Sequence, residues 1–432
     1  MKFEILKRSH LKRNIIIGVV CIAIISAVVL NFTRAKYRTT QSIPLVNGTI
    51  NYSLADLNIV AITIDGKEVD TIPDGNYELT SESYCTVNGK KDNNVKLSYD
   101  SATKGLSVTP MTSKGTKCYL DFNKKSTLKD TILVNNSVNS GTPNFANTAT
   151  TNEGVYKTQD DWGDSYYFRG AVNNNWVKFA NFYWRIIRIN GDGSIRMIYN
   201  GTSTATTGTG TQIGVNAFSQ DRNTFANNAY VGYMYTIGQV HGLGESSGIK
   251  QTLDSWYTTN IANKGYGDQV SKEAGFCGDR EPSTDKTTSN GSGGTEKTTT
   301  YYGGYIRLVN STKNPTLKCK NNEDMYTVSG SSRGNNALTN PVGLIAADEV
   351  SMAGGVWNTT NTSYYLYTGQ GYWTMSPYYF GGNSADVFIV GSDSGLSSVQ
   401  VFFARGVRPV INLSANITIK SGNGTSSTPY EI

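Results

Sequence analysis

Histidine is nearly absent from this sequence: His10 and His241 are the only two among 432 residues. Cysteine is also scarce, with five residues, and no Cys-x-x-Cys pair occurs. Zinc sites are built from clusters of these two residue types, so the composition argues against a zinc protein. His241 lies in the loop-like run QVHGLGESSG with no nucleophile motif nearby. We therefore expect an ordinary surface histidine and no Ser/His/Asp or Cys/His catalytic device.

The sequence also lacks a basic stripe of the kind that neutralises phosphates. The formal net charge is +6, but a cluster of basic residues flanks an apolar run near the N-terminus. The remaining Lys and Arg are scattered among Asn, Thr, Ser, Gly and Tyr. We therefore expect no nucleic-acid partner.

The apolar run extends from Ile15 to Leu30 and continues through Asn31 and Phe32. At 1.5 Å per residue, about 18 residues reach roughly 27 Å, close to the thickness of a bilayer's hydrocarbon core. More basic residues precede the run than follow it directly, which favours a cytoplasmic N-terminus and an exported C-terminal part. The sequence predicts a cytoplasmic basic segment over residues 1–13 and a single-pass transmembrane anchor in the cell membrane over 14–32. Cleavage as a signal peptide near residues 33–35 is the alternative.

Four cysteines follow the apolar run, and an even number is typical of an exported chain. Each of two pairs falls within a separate predicted domain, so we expect disulfides joining Cys85 to Cys118 and Cys277 to Cys319. Cys21 lies inside the apolar run, where it is a small hydrophobic residue.

Short strands separated by turn signals fill residues 33–135. The pairs Asp65-Gly66 and Asn88-Gly89 are typical of hairpin turns. Apolar and polar residues alternate over 95–99, as in a half-buried strand. This pattern predicts an Ig-like β sandwich that acts as a spacer domain. Residues 136–154 are polar and without periodicity, which predicts a linker.

Residues 155–420 contain patterns of both strands and helices, so the fold class is predicted as α+β. FYWRIIRI and SIRMIY, joined by Asn-Gly-Asp-Gly at 190–193, predict a hairpin. SGIKQTLDSWYTT at 247–259 has apolar residues at helical spacing, and GLIAADEVSMAGG at 343–355 predicts a second short helix ended by glycine. The low-complexity run at 282–300 predicts a mobile loop, and residues 421–432 a flexible tail.

Four motifs in this part resemble C-type-lectin-like domains of the formylglycine-generating-enzyme type, which often end exported proteins of low-GC Gram-positive bacteria. They are YWRIIRINGDG at 183–193, GLIAADE at 343–349, YWTMSP at 372–377 and GVRPVINL at 406–413. The resemblance implies a C-type-lectin-like ligand-binding domain over 155–420. Oxidase activity is not expected, because Cys277 and Cys319 are assigned to a disulfide. We expect neither an enzyme nor a cofactor.

The spacing of the acidic residues does not indicate a catalytic or metal-binding site. Asp348 and Glu349 are adjacent on a predicted helix and point about 100° apart, which favours solvated surface charges over a facing dyad. A surface glycoside hydrolase is the remaining enzymatic alternative. Asp160, Asp161 and Asp164 are candidates for a calcium site, but the EF-hand spacing and its closing Glu are missing, so no metal site is predicted.

Lys, Glu, Trp and Met are missing between residues 378 and 405, and Gln occurs there once, as Gln400. These five residue types normally make up about a fifth of a chain. The stretch resembles the variable segment of diversity-generating retroelement target proteins, in which adenine-directed mutagenesis of Asn-type codons does not yield these five types. The resemblance implies a hypervariable ligand-binding surface. A fixed-specificity carbohydrate-binding lectin or adhesin is the alternative.

The predicted binding residues are polar and aromatic members of this stretch. Because strand side chains alternate, Ala385 and Val387 are expected to face the core and Asp386 and Phe388 the solvent. Exposed aromatics beside small polar groups suit an extracellular protein or glycan ligand. A surface around Tyr301, Tyr302 and Tyr305 is the alternative. The predicted set is Tyr379, Phe380, Ser384, Asp386, Phe388, Ser397, Ser398, Phe402, Phe403 and Arg405.

Overall fold

The computed structural model describes residues 58–73, 75–101, 104–109, 115–219, 226–283, 298–310, 313–393 and 395–432. The predicted cytoplasmic segment and membrane anchor lie outside these residues, as does most of the predicted loop at 282–300. Among the residues described, no helix has the length and apolar character needed to cross a membrane. The structure is rich in β strands, with 38% strand against 15% helix. It divides into two compact units, Met1–Lys124 and Lys125–Ile432.

The first unit is built from short strands. Their order in the main sheet is β2-β1-β8-β4-β5, with β3 also paired to β8, while β6 and β7 form a separate hairpin. Turns at Asp65-Gly66 and Asn88-Gly89 have positive φ angles, as predicted for hairpins. The strands are β1 (Asn58–Ile64), β2 (Lys67–Val69), β3 (Tyr77–Leu79), β4 (Tyr84–Val87), β5 (Lys90–Lys91), β6 (Lys96–Asp100), β7 (Gly105–Thr109) and β8 (Lys117–Lys124).

The core of the first unit lies between this sheet and the β6–β7 hairpin. Partly buried Leu97 and Tyr99 of the hairpin pack against buried Leu120 and Phe122 of β8 and their neighbours. Cys85 and Cys118 pair directly across β4 and β8 and form the predicted disulfide. The prediction of short, half-buried strands is therefore confirmed for this unit.

The second unit combines strands with four α helices in its described residues. The helices are α1 (Leu128–Asn135), α2 (Gly248–Asn260), α3 (Gly303–Leu308) and α4 (Ala347–Ala353). Short 3-10 helices span Thr209–Thr211, Asn228–Val231, Ala262–Lys264, Gly267–Gln269 and Asn322–Asp324. The strands are β9 (Val138–Asn139), β10 (Asn152–Asp160), β11 (Gly163–Gly170), β12 (Trp176–Phe179), β13 (Phe182–Ile189), β14 (Ile195–Tyr199), β15 (Gly214–Ala217), β16 (Met234–Tyr235), β17 (Glu245–Ser246), β18 (Phe276–Cys277), β19 (Thr300–Tyr301), β20 (Met325–Tyr326), β21 (Tyr372–Phe380), β22 (Ala385–Val390), β23 (Leu396–Gln400), β24 (Ala404–Val407), β25 (Val410–Leu413) and β26 (Tyr430–Glu431).

Two larger sheets share the core of this unit. One has the order β25-β14-β13-β11-β10-β9, with β12 paired to β13 and β26. The other, which we call the C-terminal sheet, has the order β15-β24-β21-β22-β23, with β19 paired to β21. Trp184 of the first sheet and Trp373 of the second are both fully buried in one cluster. The predicted hairpin is confirmed as β13 and β14, and β25 from the GVRPVINL motif pairs with β14.

Both predicted helices are present. The Ser247 hydroxyl caps α2 by accepting the Lys250 backbone N–H, and Ile249, Leu253 and Tyr257 bury one face. Helix α4 ends at Gly354, whose φ of 116° lies in the range that favours glycine.

The predicted domain boundary, linker and tail are wrong. Helix α1 belongs to the second unit, where Leu128 and Ile132 are fully buried. The supposed linker continues into β9, and the Asn139 side-chain amide donates to the carbonyls of Glu153 and Val155. In the supposed tail, Tyr430 is fully buried on β26. The polar composition of these segments was a poor guide to their structure. Their polar groups form hydrogen bonds within the fold, and a few apolar side chains are enough to pack each segment.

Candidate ligand-binding surface

Four neighbouring strands of the C-terminal sheet bring one row of side chains together. Tyr301 of β19 pairs with Tyr379 of β21, Tyr379 pairs with Asp386 of β22, and Asp386 pairs with Gln400 of β23. Residues that pair directly in an antiparallel sheet point to the same face. All four side chains are partly exposed. The row therefore forms a continuous accessible strip across the sheet.

Five aromatic rings, which we call the aromatic ladder, lie along and beside this row. The ring centroids of Trp357 and Tyr378 are 4.9 Å apart, and those of Tyr378 and Tyr305 are 5.4 Å apart. Tyr305 lies 4.6 Å from Tyr301, which lies 4.5 Å from Tyr379. All five rings are partly exposed. Their mutual contacts restrict side-chain motion, so a ligand meets rings that are already ordered.

An irregularity in β21 places two consecutive tyrosines on the surface. The register of β21 with β22 shifts between Pro377 and Tyr379, which interrupts the normal alternation and leaves both Tyr378 and Tyr379 partly exposed. Gly381 then makes room for the Tyr379 ring, since a Cβ there would lie 2.7 Å from Tyr379 Cε1. The segment that carries Trp357 is fixed by a backbone hydrogen bond, in which the N–H of Asn358 donates to the Leu396 carbonyl of β23.

The polar part of the surface centres on Asp386. The Ser384 hydroxyl donates to its carboxylate at 2.7 Å, while burial raises the pKa of Asp386. Burial also raises the pKa of Tyr378 to about 12, so this phenol keeps its proton at neutral pH and can donate a hydrogen bond. Strands β21, β22 and β23 contain no Lys or Arg. The surface therefore combines neutral phenols with a single carboxyl group.

The structure contradicts two of the predicted binding residues. Phe380 and Phe388 are fully buried. Side-chain alternation would expose Phe388 only if this face of β22 were solvated there, but Phe388 lies under the rings of Trp357 and Tyr378. Tyr302, from the alternative surface, is also buried, and its hydroxyl donates to the Asn228 carbonyl.

Other predicted residues form a second group on the turn that follows β23. The rings of Phe402 and Phe403 lie 4.5 Å apart, and Phe403 is 42% exposed. The Arg405 guanidinium lies 5.8 Å from the Phe403 ring centroid. Phe403 is therefore accessible to a ligand, as a predicted binding residue must be. On β23, Ser398 shares the face of Asp386, whereas Ser397 points to the opposite face.

Comparisons with known proteins assign no family to this chain. No family model, curated protein or solved structure matches it. Function is therefore inferred from the chemistry of the surface itself.

Trp357 and Tyr378 were not predicted from the sequence as members of the surface. Trp357 is 21 residues from its stacking partner, and only tertiary pairing brings the rings together. Tyr301 and Tyr305 were named only as an alternative. The unusual number of tyrosines, 27 against 14 phenylalanines, was the one available signal.

The acidic candidates are engaged by other protein groups. Asp348 and Glu349 are buried, which contradicts the predicted solvated charges. Asp348 accepts two hydrogen bonds of 2.8 Å from Arg307, and Glu349 accepts one of 2.9 Å from Arg188. Asp160 accepts a 2.6 Å bond from Arg188 as well. Among the described residues, no group of three or more His, Cys, Asp or Glu is arranged to hold a metal ion.

His241 is not the surface histidine that was expected. Its side chain is 14% exposed, and its Nδ1 lies 3.2 Å from Asp324 Oδ1. Its Nε2 lies 3.2 Å from Glu281 Oε2. The backbone beside Glu281 supports the aromatic ladder, because the Ser283 N–H donates to the Tyr301 carbonyl at 2.7 Å. This cluster therefore anchors the backbone that carries one of the exposed rings.

The His241 cluster predicts a pH-dependent contribution to stability. Interaction with Asp324 raises the pKa of His241 above 6.5, with a smaller contribution from Glu281. A raised folded-state pKa stabilises the fold below the unfolded value, and this stabilisation is lost as pH rises through the folded value. We expect the difference in free energy of unfolding between wild type and His241→Gln to be largest below about pH 6.5 and to shrink above it. Denaturant titrations at several pH values measure this difference, and a difference that does not change with pH contradicts the assignment.

Proposed function

We propose that this chain is a non-catalytic surface protein of the adhesin or receptor type, which binds its ligand through the aromatic ladder and Asp386. The observation that supports this most is the row of Tyr301, Tyr379, Asp386 and Gln400 across four paired strands. Tyrosine and tryptophan offer apolar area together with a hydrogen-bonding group, and they are enriched among the residues that carry binding energy. Paired strands hold these groups more rigidly than loops do.

The proposed location is the cell membrane, with residues 14–32 as the anchor, the N-terminus in the cytoplasm and the bulk of the chain outside the cell. Two disulfides support an oxidising compartment, since such bonds are rare in the cytosol. The first unit, which lies between the proposed anchor and the second unit in the sequence, is proposed as an Ig-like spacer domain.

We also propose a C-type-lectin-like fold for the second unit. The motifs that carry the resemblance support this, because YWRIIRINGDG contains most of β13, GVRPVINL contains β25, and both strands pair with β14 in one sheet. Residues 378–405 supply Tyr378, Tyr379, Asp386 and Gln400 to the proposed surface. Diversification of this stretch would change one part of the surface while Trp357, Tyr301 and Tyr305 stayed constant.

A fixed-specificity lectin or adhesin is the alternative, in which the whole surface is constant. The gene neighbourhood distinguishes the two. An adjacent reverse transcriptase gene and a near-copy of the codons for residues 378–405 support diversification. Their absence favours fixed specificity.

Blocking the surface tests the proposed function. Gln400→Lys places a long cationic side chain opposite Asp386, where it covers the strip and pairs with the carboxylate. Ser397→Lys is the matched control, because it puts the same side chain on the opposite face of the same strand. Cells that display the full-length chain should lose adhesion to eukaryotic or bacterial target cells with Gln400→Lys and keep it with Ser397→Lys. Equal adhesion by the two variants contradicts a binding site on this face.

A further inference from the structure

We propose that the ligand is a neutral glycan chain whose sugar rings stack on the aromatic ladder. The inference rests on the proposed function and narrows its ligand to one chemical class. Four observations support it: the arrangement of the rings, the polar groups beside them, the charge of the surface and the location of exposed apolar side chains.

The arrangement of the rings suits a chain of sugar units. A pyranose presents C–H groups on one face, and these carry a partial positive charge that the negative face of an aromatic ring attracts. Neighbouring rings in the ladder are 4.5 to 5.4 Å apart, and those of Tyr301 and Tyr379 are tilted by 41°. The rings of Tyr378 and Tyr379 also lie 6.3 Å apart, so the four tyrosines form a closed cluster with Trp357 stacked at its edge. A glycan that covers this cluster can make several weak ring contacts at once.

The polar groups beside the rings match the hydroxyl groups of a sugar. Hydroxyls removed from water need hydrogen-bond partners, because an unsatisfied buried polar group costs about 1 to 3 kcal/mol. Asp386 can accept, Gln400 can accept and donate, and the phenols of Tyr301 and Tyr379 can do both. Ser384 already donates to the Asp386 carboxylate, which fixes its orientation. A ligand rich in hydroxyls therefore finds both donors and acceptors.

The charge of the surface favours a neutral ligand. Asp386 is the carboxylate in the row, and strands β21 to β23 contribute no basic residue to pair with sulfate, phosphate or carboxylate groups. An anionic glycan would meet repulsion from Asp386 if this group is ionised, and no attraction from these strands. One carboxylate is also far fewer oxygen ligands than the six to eight that calcium takes, so the proposed binding does not use a bridging metal ion.

A protein ligand is less well matched by this surface. Binding between proteins depends on a few apolar anchors that become fully desolvated. The large hydrophobic side chains that are most exposed in the described part of the second unit are all outside the ladder: Val134, Val138, Val215, Ile237 and Phe403. The ladder itself offers half-buried rings with hydroxyl groups, which can stack on a narrow chain without a large flat contact.

Calorimetric titration of the full-length chain tests the glycan class. The probes are the hexasaccharides of β-1,4-glucan, α-1,4-glucan, β-1,3-glucan, chitin, β-mannan and β-galactan, with a heparin hexasaccharide as the anionic comparison and EDTA in the buffer. We expect at least one neutral hexasaccharide to bind with a Kd of about 1 mM or tighter, and heparin to bind more weakly. Tyr379→Ala and Asp386→Ala should each weaken binding at least about tenfold, whereas Tyr379→Phe should retain most of it because the ring remains.

A stacked tyrosine pair in the first unit provides the matched control. Tyr84 and Tyr119 lie 4.8 Å apart and are partly exposed, so Tyr84→Ala removes a comparable ring and should leave glycan binding unchanged. Failure of every neutral hexasaccharide to bind, or tighter binding of heparin, overturns the glycan class. If Gln400→Lys still abolishes cell adhesion in that case, the ligand is a protein and the proposed function stands. If Gln400→Lys adheres like wild type, the proposed function itself fails.

Discussion

A chain that carries Tyr301→Ser and Tyr379→Ser together is expected to bind its ligand at least about thirtyfold more weakly than wild type. The two rings are in contact at 4.5 Å, and both belong to the aromatic ladder. A well-placed aromatic anchor contributes roughly 2 kcal/mol or more to binding, which corresponds to this factor. Both side chains are partly exposed, so the free energy of unfolding should change by only about 1 kcal/mol. Affinity for the ligand-bearing cell surface and the denaturation midpoint are measured on the same preparations.

Phe402→Ser with Phe403→Ser is the matched comparison for this variant. These two rings also lie 4.5 Å apart and belong to the stretch in which the sequence predicted binding residues, but they are outside the ladder. We expect this variant to bind like wild type. If it loses binding while the Tyr301 and Tyr379 variant keeps it, the binding surface lies on the turn after β23 and the ladder is structural.

Removal of the Glu349 carboxylate is expected to destabilise the second unit by about 3 to 5 kcal/mol. Glu349 is buried and pairs with Arg188 and Arg196, which are buried as well. Burial acts to raise the pKa of Glu349, but the two guanidinium groups outweigh it and hold the pKa below its usual value. Glu349→Ala would leave two buried cations short of a partner. It would also leave the Ala346 N–H, which donates to this carboxylate at 2.9 Å, without its acceptor.

An exposed ion pair in the same unit provides the control for Glu349→Ala. Lys178 and Glu431 are 2.8 Å apart, with side chains 44% and 42% exposed. Because solvent screens such pairs, Glu431→Ala should lower the free energy of unfolding far less than Glu349→Ala does. Urea denaturation of both variants measures the difference. Similar losses of unfolding free energy in the two variants would show that burial does not govern how much the Glu349 ion pairs stabilise the fold.

Local structure was predictable from the sequence wherever short-range chemistry decides it. The Asn-Gly-Asp-Gly turn, the Ser247 cap of α2 and the glycine that ends α4 are all encoded within a few residues. The disulfide pairing was also predicted correctly, because each pair of cysteines lies within one unit and closes a loop of moderate length.

The binding surface was less predictable because it depends on contacts between distant segments. The alternation of side chains along β22 predicts that Phe388 faces the solvent, yet Trp357 and Tyr378 cover it. The register shift in β21 moves Tyr378 to the surface, and no simple alternation rule anticipates such a shift. Glu349 was expected in solvent because its partner Arg188 is 161 residues away in the sequence. Each of these errors concerns tertiary pairing rather than local propensity.

Photo-cross-linking tests the central claim most directly. A benzophenone analogue of phenylalanine is placed at Tyr379 of the full-length chain in one sample and at Phe403 in another, and each chain is irradiated while bound to target cells. The benzophenone inserts into C–H bonds of whatever lies against it, so it captures a glycan or a protein alike. We expect a ligand adduct from position 379 and none from position 403. An adduct from position 403 alone would contradict the assignment of the aromatic ladder as the binding surface.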